Sequence, residues 1–407
     1  MGAHFLERLV SRCLLFSSAV AVASLADVPS VPTASNKKDT QEKKQKLEPD
    51  DDHLDSNALR DLSEASGGYF FDGGERDFGE SLDFALDSIF RNLYRIAWIR
   101  GNLQSDGRFT TEVPIDSAIS VAQFVLNVSK CQEFKISVHR PDGSIVQQDD
   151  QGTEIKSIPG FTRIRILQPP IGQWKVAIEG EGRFLFTADG ETSIHVFGVQ
   201  IYRMTGEPGR CGPAVEEVAP ELLIRQNVFV EATLIGKIKE PSIQFLTTGG
   251  RLLEKLETKV GVLDDEIIVS EYTPTRAIES FIVRVSGKDD AGNSMQRVLM
   301  REFSVQPFVI RPYFSGPPGE SPPGRFRFQA LNAGPPDQFA IEAETLAKFP
   351  TKVSPAQLAL STDGSAFIDV EVDIDESEVR RGAELTVSMK SSTTRVRATG
   401  STRLERD

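Results

Sequence analysis

The sequence predicts a mainly β protein built of tandem immunoglobulin-like β-sandwiches that follow a short α/β segment. Short runs rich in Val, Ile and Phe alternate with polar residues from about residue 105 to the end of the chain. Clusters of Gly, Pro, Asn and Asp, which favour turns, separate these runs at regular intervals. Because no long helical pattern lies between the runs, they favour antiparallel sandwiches over a parallel α/β fold.

Charge and composition exclude several classes of function. The chain has 407 residues, and 46 Lys and Arg against 59 Asp and Glu give a net charge of −13. Binding to phosphate groups needs clustered Lys and Arg, so we expect no nucleic-acid partner. Four His and three Cys leave little material for zinc sites or iron–sulfur clusters. We therefore expect no metal and no cofactor.

Residues 1–26 have the layout of a secretory signal peptide. Two arginines precede a short apolar run over residues 13–23, and the small residues Ser24 and Ala26 stand before a plausible cleavage point at Asp27. The apolar run is too short to span a bilayer, and no later segment approaches the ~20 apolar residues of a membrane helix. The sequence thus predicts a secreted, extracellular protein without a membrane span.

The next two segments differ in character. Residues 27–57 are charged and almost free of large apolar side chains, which predicts a disordered linker. Residues 58–101 begin with a short helical pattern that ends at a glycine pair, followed by a short strand over 69–71. Apolar residues then recur every three or four positions over 78–96, which predicts a helix with one buried face.

Three segments of similar length make up the rest of the chain. Alternating strands and turn pairs predict one β-sandwich over residues 102–205, a second over 214–311 and a third over 312–407. Pro-rich stretches lie between these segments and leave little slack. Short junctions of this kind predict semi-rigid beads on a string.

Two kinds of covalent modification can be read from the sequence. Removal of the signal peptide leaves Cys131 and Cys211, and a disulfide between them would close a loop of ~80 residues and stabilise the fold by about 4 kcal/mol. The spacing does not show that the two Cα atoms come within reach, so pairing stays open. Asn127 begins an N-glycosylation sequon in a strand-like run, where its side chain could face outward. An unused sequon is the alternative.

Motifs that carry chemistry are weak. Residues 61–66 approach an Asp-x-Ser-x-Ser metal motif, but Ala65 occupies the second hydroxyl position. The oxygen-rich segment 289–293 suits a hairpin turn better than a calcium site. His139 and His195 fall in separate strand-like runs without metal-ligand spacing, and we expect both on the surface of their strands. No nucleophile elbow or phosphate-binding loop occurs, so we expect no enzyme activity, although the sequence leaves a distant carboxylate pair open.

A family resemblance rests on the order of several short motifs. Residues 59–71, followed by the predicted helix, resemble the closing part of a von Willebrand factor A domain. The motifs at 140–143 and 170–176 resemble the β-sandwich that follows the A domain in hemicentins and related A-domain-containing proteins. The run at 282–289, together with Gly292 and Arg297, is similar to the next module of that group.

The resemblance implies a role in the extracellular matrix or in cell adhesion. Sandwich modules of this group would act as spacers and as interaction surfaces for extracellular proteins, without catalysis. The strand that carries the adhesion metal motif of an A domain is absent from the sequence, so the resemblance implies no metal site here. The alternative is a carbohydrate-binding or accessory β-sandwich protein of a secreted enzyme system, which an aromatic row on one sheet face would favour. An unrecognised hydrolase is a third reading.

Overall fold

The protein is mainly β, as the sequence predicts. In the described part of the chain, 73% of the residues lie in strands and none lies in a helix. The structure, a computed structural model, describes residues 21–22, 70–71, 93–128, 134–158, 160–205, 214–218, 220–260, 266–313, 324–345, 348–373, 384–394 and 396–403.

Two short strands precede the main body. Strands β1 (Ala21–Val22) and β2 (Phe70–Phe71) pair in parallel. Strand β2 coincides with the short strand expected over 69–71. The rest of the expected signal peptide, the linker 27–57 and most of the A-domain-like segment lie outside the described residues.

The first unit is one six-stranded sheet. Its strands follow the order β3-β8-β4-β7-β6, and β5 also pairs with β8. The bounds are β3 (Leu93–Ile115), β4 (Ile119–Val128), β5 (Phe134–His139), β6 (Thr153–Ile158), β7 (Phe161–Leu167) and β8 (Gly172–Thr192).

This sheet bends so that its two halves enclose a core. The first half of β8 pairs with β5 and with the end of β3, whereas its second half pairs with β4 and with the start of β3. Gly180 and Gly182 lie between the halves with φ of 152° and 106°, which favour glycine. Phe124 from one half reaches Trp174 from the other, with ring centroids 5.7 Å apart.

Strand β3 corrects two expectations. The predicted helix over 78–96 ends inside this strand, and the expected boundary between 101 and 102 divides it. Ala97 and Ile99 face the core of the first unit, whereas Trp98 between them faces the opposite side of the sheet. This period of two is that of a strand, and pairing with β8 stabilises it along its length. Residues 78–92 lie outside the described residues.

The second unit consists of two five-stranded sheets, with the orders β10-β9-β12-β16-β15 and β11-β18-β17-β13-β14. Apolar side chains from both sheets share one core, in which Phe245 and Phe281 have ring centroids 4.4 Å apart. The bounds are β9 (His195–Thr205), β10 (Ala214–Glu217), β11 (Glu221–Leu223), β12 (Val228–Ile235), β13 (Lys239–Leu246), β14 (Leu252–Lys255), β15 (Lys259–Val260), β16 (Ile267–Tyr272), β17 (Ile278–Lys288) and β18 (Ser294–Gln306).

The third unit consists of two four-stranded sheets, with the orders β19-β20-β24-β22 and β23-β21-β25-β26. Phe308 and Phe339 meet in its core, with ring centroids 4.8 Å apart. The bounds are β19 (Phe308–Pro312), β20 (Arg325–Asn332), β21 (Asp337–Thr345), β22 (Thr351–Ser354), β23 (Gln357–Leu360), β24 (Gly364–Val372), β25 (Glu384–Ser391) and β26 (Arg397–Arg403).

Strand pairing moves two expected boundaries toward the N-terminus. Strand β9 was assigned by sequence to the first sandwich, yet it pairs with β12, and its Ile201 lies in the core of the second unit. Strand β19 was assigned largely to the second sandwich, yet it pairs with β20, and its Ile310 lies in the core of the third. The Pro-rich stretches lie after the first strand of the second and third units and not between units. Proline and glycine occur in turns as readily as in linkers, so they do not locate the boundary between units.

The close approach of β17 to β13 gives a first prediction. A Cβ at Gly287 would lie 2.5 Å from Cγ2 of Ile238 and 2.7 Å from the carbonyl oxygen of Lys239. We expect Gly287→Ala to lower the free energy of unfolding by about 1–3 kcal/mol, because the backbone of β13 must shift. Urea denaturation followed by tryptophan fluorescence measures the change.

Gly198→Ala is the matched control in the same unit. A Cβ at Gly198 meets no atom within 4 Å. This variant should keep its stability or gain about 0.5–1 kcal/mol, because alanine loses less backbone entropy than glycine on folding. Equal losses in the two variants would show that the contact at Gly287 is not tight.

Candidate functional site: the junctions between the units

The first and second units pack sheet against sheet. The outer face of the first unit's sheet lies on the outer face of β13, β17 and β18. Seven buried apolar side chains fill this contact, which we call the first junction: Trp98, Val125, Phe161, Leu185, Leu246, Ile282 and Val298. Trp98 is only 2% exposed there, although it points away from the core of its own unit. Both faces of the first unit's sheet are therefore covered in this region.

A buried ion pair lies at one end of the first junction. Arg297 in β18 is 2% exposed, and Asp116 in the turn between β3 and β4 is fully buried. Nη1 of Arg297 lies 2.8 Å from Oδ2 of Asp116 and also donates to the carbonyl oxygen of Gln296. Its Nε donates to the carbonyl oxygen of Ile194 at 2.8 Å, and Nη2 donates to Oγ1 of Thr192 at 2.9 Å. One guanidinium thus joins the first unit, the connecting residues and the second unit.

A hairpin turn of the second unit contacts the β3–β4 turn of the first unit, which also holds Asp116. Asp289 and Asn293 close the β17–β18 hairpin, and the main-chain N of Gly292 donates to the carbonyl oxygen of Asp289 at 3.0 Å. Oδ2 of Asp289 accepts hydrogen bonds from the main-chain N and Oγ of Ser117, at 2.8 and 2.6 Å. Asn293 donates to the same carboxylate from its main-chain N and from Nδ2. Segment 289–293, weighed by sequence as turn or calcium site, forms the turn.

These hydrogen bonds change the acidity of Asp289. Burial alone raises the pKa of its carboxyl, but the donors of Ser117 and Asn293 outweigh burial and hold that pKa well below its ordinary range. The carboxylate therefore stays ionised at neutral pH, and its oxygens are occupied by protein donors.

Further hydrogen bonds cross the first junction to main-chain oxygens. The main-chain N of Arg100 donates to the carbonyl oxygen of Thr248 at 2.8 Å, and its guanidinium pairs with Glu302. Nε2 of Gln296 donates to the carbonyl oxygen of Ile96 at 3.1 Å. Since these bonds join strands of both units, the two units are held in one orientation. The sequence predicted semi-rigid beads, whereas the structure places the first two units face to face.

The second and third units meet over a smaller contact, the second junction. Leu223, Val309 and Ala333 form its buried apolar cluster. Arg311 in β19 donates from Nη2 to the main-chain oxygen of Glu221 at 3.2 Å. Burial raises the pKa of the Glu221 carboxyl to about 7. This junction has three buried apolar residues against seven in the first.

The structure tests where one expected modification site lies. Asn127 is in β4 and only 2% exposed. Its side chain points to the same side of β4 as Val125, which belongs to the first junction, because alternate residues of a strand share a face. The expectation that Asn127 faces outward is therefore wrong, since the second unit covers that side of the sheet. Glycosylation of Asn127 stays a prediction, and Cys131 and Cys211 lie outside the described residues.

The two histidines of the described strands occupy different surroundings. His139 ends β5, and His195 begins β9. The ring of His195 stacks on Tyr94 of the first unit, with ring centroids 3.9 Å apart. Burial, with a smaller effect of the Arg297 charge, lowers the pKa of His195. His195, expected on the surface, thus takes part in the contact between units.

Sequence reasoning missed the ion pair of Asp116 and Arg297. One signal in the sequence could have found it. Arg297 is a charged residue between Gln296 and Val298, in a strand with many buried residues. A charge in such a place needs a partner. The partner could not be identified from sequence because Asp116 lies in a different unit.

One exposed aromatic pair lies on the third unit. The rings of Tyr313 and Phe367 have centroids 4.7 Å apart, and the residues are 39% and 46% exposed. The guanidinium of Arg327 lies 5.7 Å from the Phe367 ring centroid and contacts Asp369 through Nε and Oδ1 at 2.6 Å. This aromatic patch (Tyr313, Phe367 and Arg327) presents both apolar surface and hydrogen-bonding groups to solvent.

Comparisons with known proteins give no family assignment. No protein-family model matches the chain, and no curated protein matches it. Similar solved structures include a Bacillus licheniformis lipase in propeptide form, with 10% identity and a TM-score of 0.24 over 58% of this chain and 41% of that one. A DUF4785 family protein from Legionella pneumophila has 8% identity and a TM-score of 0.31, with 77% and 93% coverage.

A tetra-tandem repeat from the extending region of a large adhesion protein has 11% identity and a TM-score of 0.18, with 76% and 74% coverage. The chain spans less than half the length of the lipase that it matches. At these TM-scores the alignments carry no argument about function.

The described ranges contain no transmembrane helix and no cluster of metal-ligating side chains. No helix there is both long and apolar enough to cross a membrane. Among those same residues, His, Cys, Asp and Glu side chains do not gather in threes in a way that could hold a metal ion.

The buried ion pair gives a second prediction. We expect Arg297→Met to lower the free energy of unfolding by about 3–5 kcal/mol, because it leaves the Asp116 carboxylate buried without its cation. The double variant Asp116→Leu with Arg297→Met should lose less than Arg297→Met alone, because no unpaired charge stays buried. Urea denaturation of the full chain measures all variants.

Arg301→Ala is the control for this cycle. Arg301 lies in the same strand, but its pair with Glu217 is exposed, so the loss should stay below about 1 kcal/mol. If the double variant loses as much stability as Asp116→Leu and Arg297→Met lose together when measured singly, Asp116 and Arg297 are not coupled.

Proposed function

We propose that the chain is a secreted, non-enzymatic modular protein of the extracellular matrix or cell surface, in which the units act as spacers and carry interaction surfaces. The observation that supports this most strongly is the first junction. Its apolar cluster and buried ion pair hold two units in one orientation, which a spacer needs in order to present distant surfaces at a set separation. The partners would be extracellular proteins.

An immunoglobulin-like architecture of the second unit is part of this proposal. In such sandwiches strands A, B, E and D form one sheet, and C, F and G form the other. If β9 is strand A, the order β9-β12-β16-β15 corresponds to A-B-E-D, and β18-β17-β13 corresponds to G-F-C. Strands β10, β11 and β14 are additions at the sheet edges. The strand order alone supports this architecture, since the sequence lacks the cysteine spacing of antibody domains.

The buried charged groups of the first junction support a non-enzymatic role, because protein partners occupy them. Arg297 and Asp116 satisfy each other and the connecting residues, and Asp289 is occupied by donors from Ser117 and Asn293. A catalytic acid or base must be open to a substrate. The most deeply buried charged groups at the first junction instead stabilise the contact between units.

Carbohydrate binding is the second candidate, and one observation favours it. The aromatic patch places two half-exposed rings beside the paired side chains of Arg327 and Asp369 on one sheet face. Rings can stack on sugars while charged groups bind hydroxyls. The patch has a single pair of rings tilted by 58° and not a row, so we place protein binding first.

The aromatic patch gives a third prediction. We expect the double variant Tyr313→Ser with Phe367→Ser to weaken binding to purified extracellular matrix proteins at least about tenfold, because exposed aromatic residues dominate interface energies. Biolayer interferometry with the immobilised full chain measures this. The stability of the variant should change by less than about 1 kcal/mol, because both side chains are exposed.

Leu252→Ser is the matched control, since Leu252 is similarly exposed on the second unit. It should bind like the unaltered chain. Saturable binding to a glycan array that the double variant loses, without binding to any protein of the panel, would favour the carbohydrate alternative and contradict the adhesion role.

Secretion gives a fourth prediction. Chain expressed in secreting eukaryotic cells should begin at Asp27, and its intact mass should rise by two hydrogens on reduction, as a disulfide between Cys131 and Cys211 requires. A Cys211→Ser variant should show no such rise. A retained signal segment together with an unchanged mass on reduction would contradict the proposed extracellular location.

A further inference from the structure

The second junction has an ionisable carboxyl at its centre. Glu221 lies in β11, which pairs in parallel with β18 of its own unit. The main-chain N of Thr399 in β26 donates to this carboxyl, and Arg311 in β19 lies close enough to act on its charge. Both of these residues belong to the third unit. The surroundings that bury Glu221 therefore exist only while the third unit is docked.

The carboxyl of Glu221 is incompletely satisfied. Its Oε2 is buried and accepts no hydrogen bond from any described residue. The Nη2 of Arg311 donates to the main-chain oxygen of Glu221 and lies 3.4 Å from Oε1 of Gln226. An ionised carboxylate here loses water without gaining a full set of donors, which opposes ionisation.

The elements around Glu221 supply one facing charge. From β18 the register partner of Glu221 is the neutral Ser304. From β26 the neutral Thr399 donates through its main-chain N, and from β19 Arg311 supplies the facing cation. Arg225 also reaches across this junction, but it pairs with the exposed Asp363. The attraction of Arg311 lowers the pKa of Glu221 less than burial raises it, so the pKa lies at about 7.

We propose that the second junction is a pH-dependent contact, closed while Glu221 is protonated and weakened when Glu221 ionises. This contact follows from the geometry of the chain, whether or not the adhesion role is correct. The contact is strongest below the ordinary pKa of a glutamate and weakens as the pH rises from there through about 7, because the docked state holds the proton more tightly than the open state. The first junction does not follow this change, because Asp289 there stays ionised.

Hydrogen exchange on the full chain tests the proposal. Mass spectrometry at pH 5.5 and 8.5, with rates corrected for intrinsic exchange, would follow the peptides that hold β11, β19 and β26. If about one unit of the raised pKa of Glu221 comes from docking, protection at these peptides falls about tenfold between the two pH values. Protection of the turn that holds Asp116 should stay constant over the same range.

Two variants make the result decisive. Glu221→Gln carries no charge at either pH, so its protection should stay high at pH 8.5. Glu217→Gln removes an exposed carboxylate of the same unit and should respond to pH like the unaltered chain. The proposal is overturned if Glu221→Gln responds to pH like the unaltered chain, or if the unaltered chain shows no response.

Discussion

The arrangement of the first two units depends on the guanidinium of Arg297. A buried cation is costly unless it is paired and fully hydrogen bonded, and here every donor nitrogen has an acceptor. Those acceptors come from a turn of the first unit, from the connecting residues and from the strand of Arg297 itself. Another orientation of the units would separate the guanidinium from Asp116. The apolar cluster of the first junction supplies attraction, whereas the ion pair determines the orientation.

The two junctions divide the chain into parts of different strength. The first joins sheet faces through seven buried apolar side chains and an ion pair, and the second joins unit ends through three buried apolar side chains and a half-buried carboxyl. The first two units thus behave as one body that carries the third. The aromatic patch lies on the third unit, so its position relative to the rest depends on the weaker contact.

Local patterns predicted strands well and contacts between units poorly. Alternation such as Val228–Ile235 gives a period of two that only a strand satisfies, and these residues form β12. The region near Ile96 was misassigned because apolar residues of a strand covered on both faces also recur at helical spacing. The pairing of Asp116 with Arg297, and the burial of Asn127, depend on residues far apart in the chain, which local patterns do not record.

The long hairpin-like pairing of β3 with β8 also has a consequence for folding. Leu93 pairs with Glu191 although the rest of the first unit lies between them in sequence, and among the described strands β3 pairs with β8 alone. Closing such a large loop costs chain entropy before any contact is gained, so a high contact order slows folding. During synthesis, β3 leaves the ribosome well before β8, its strand partner. The edge of β3 is therefore exposed to mispairing until β8 has been made.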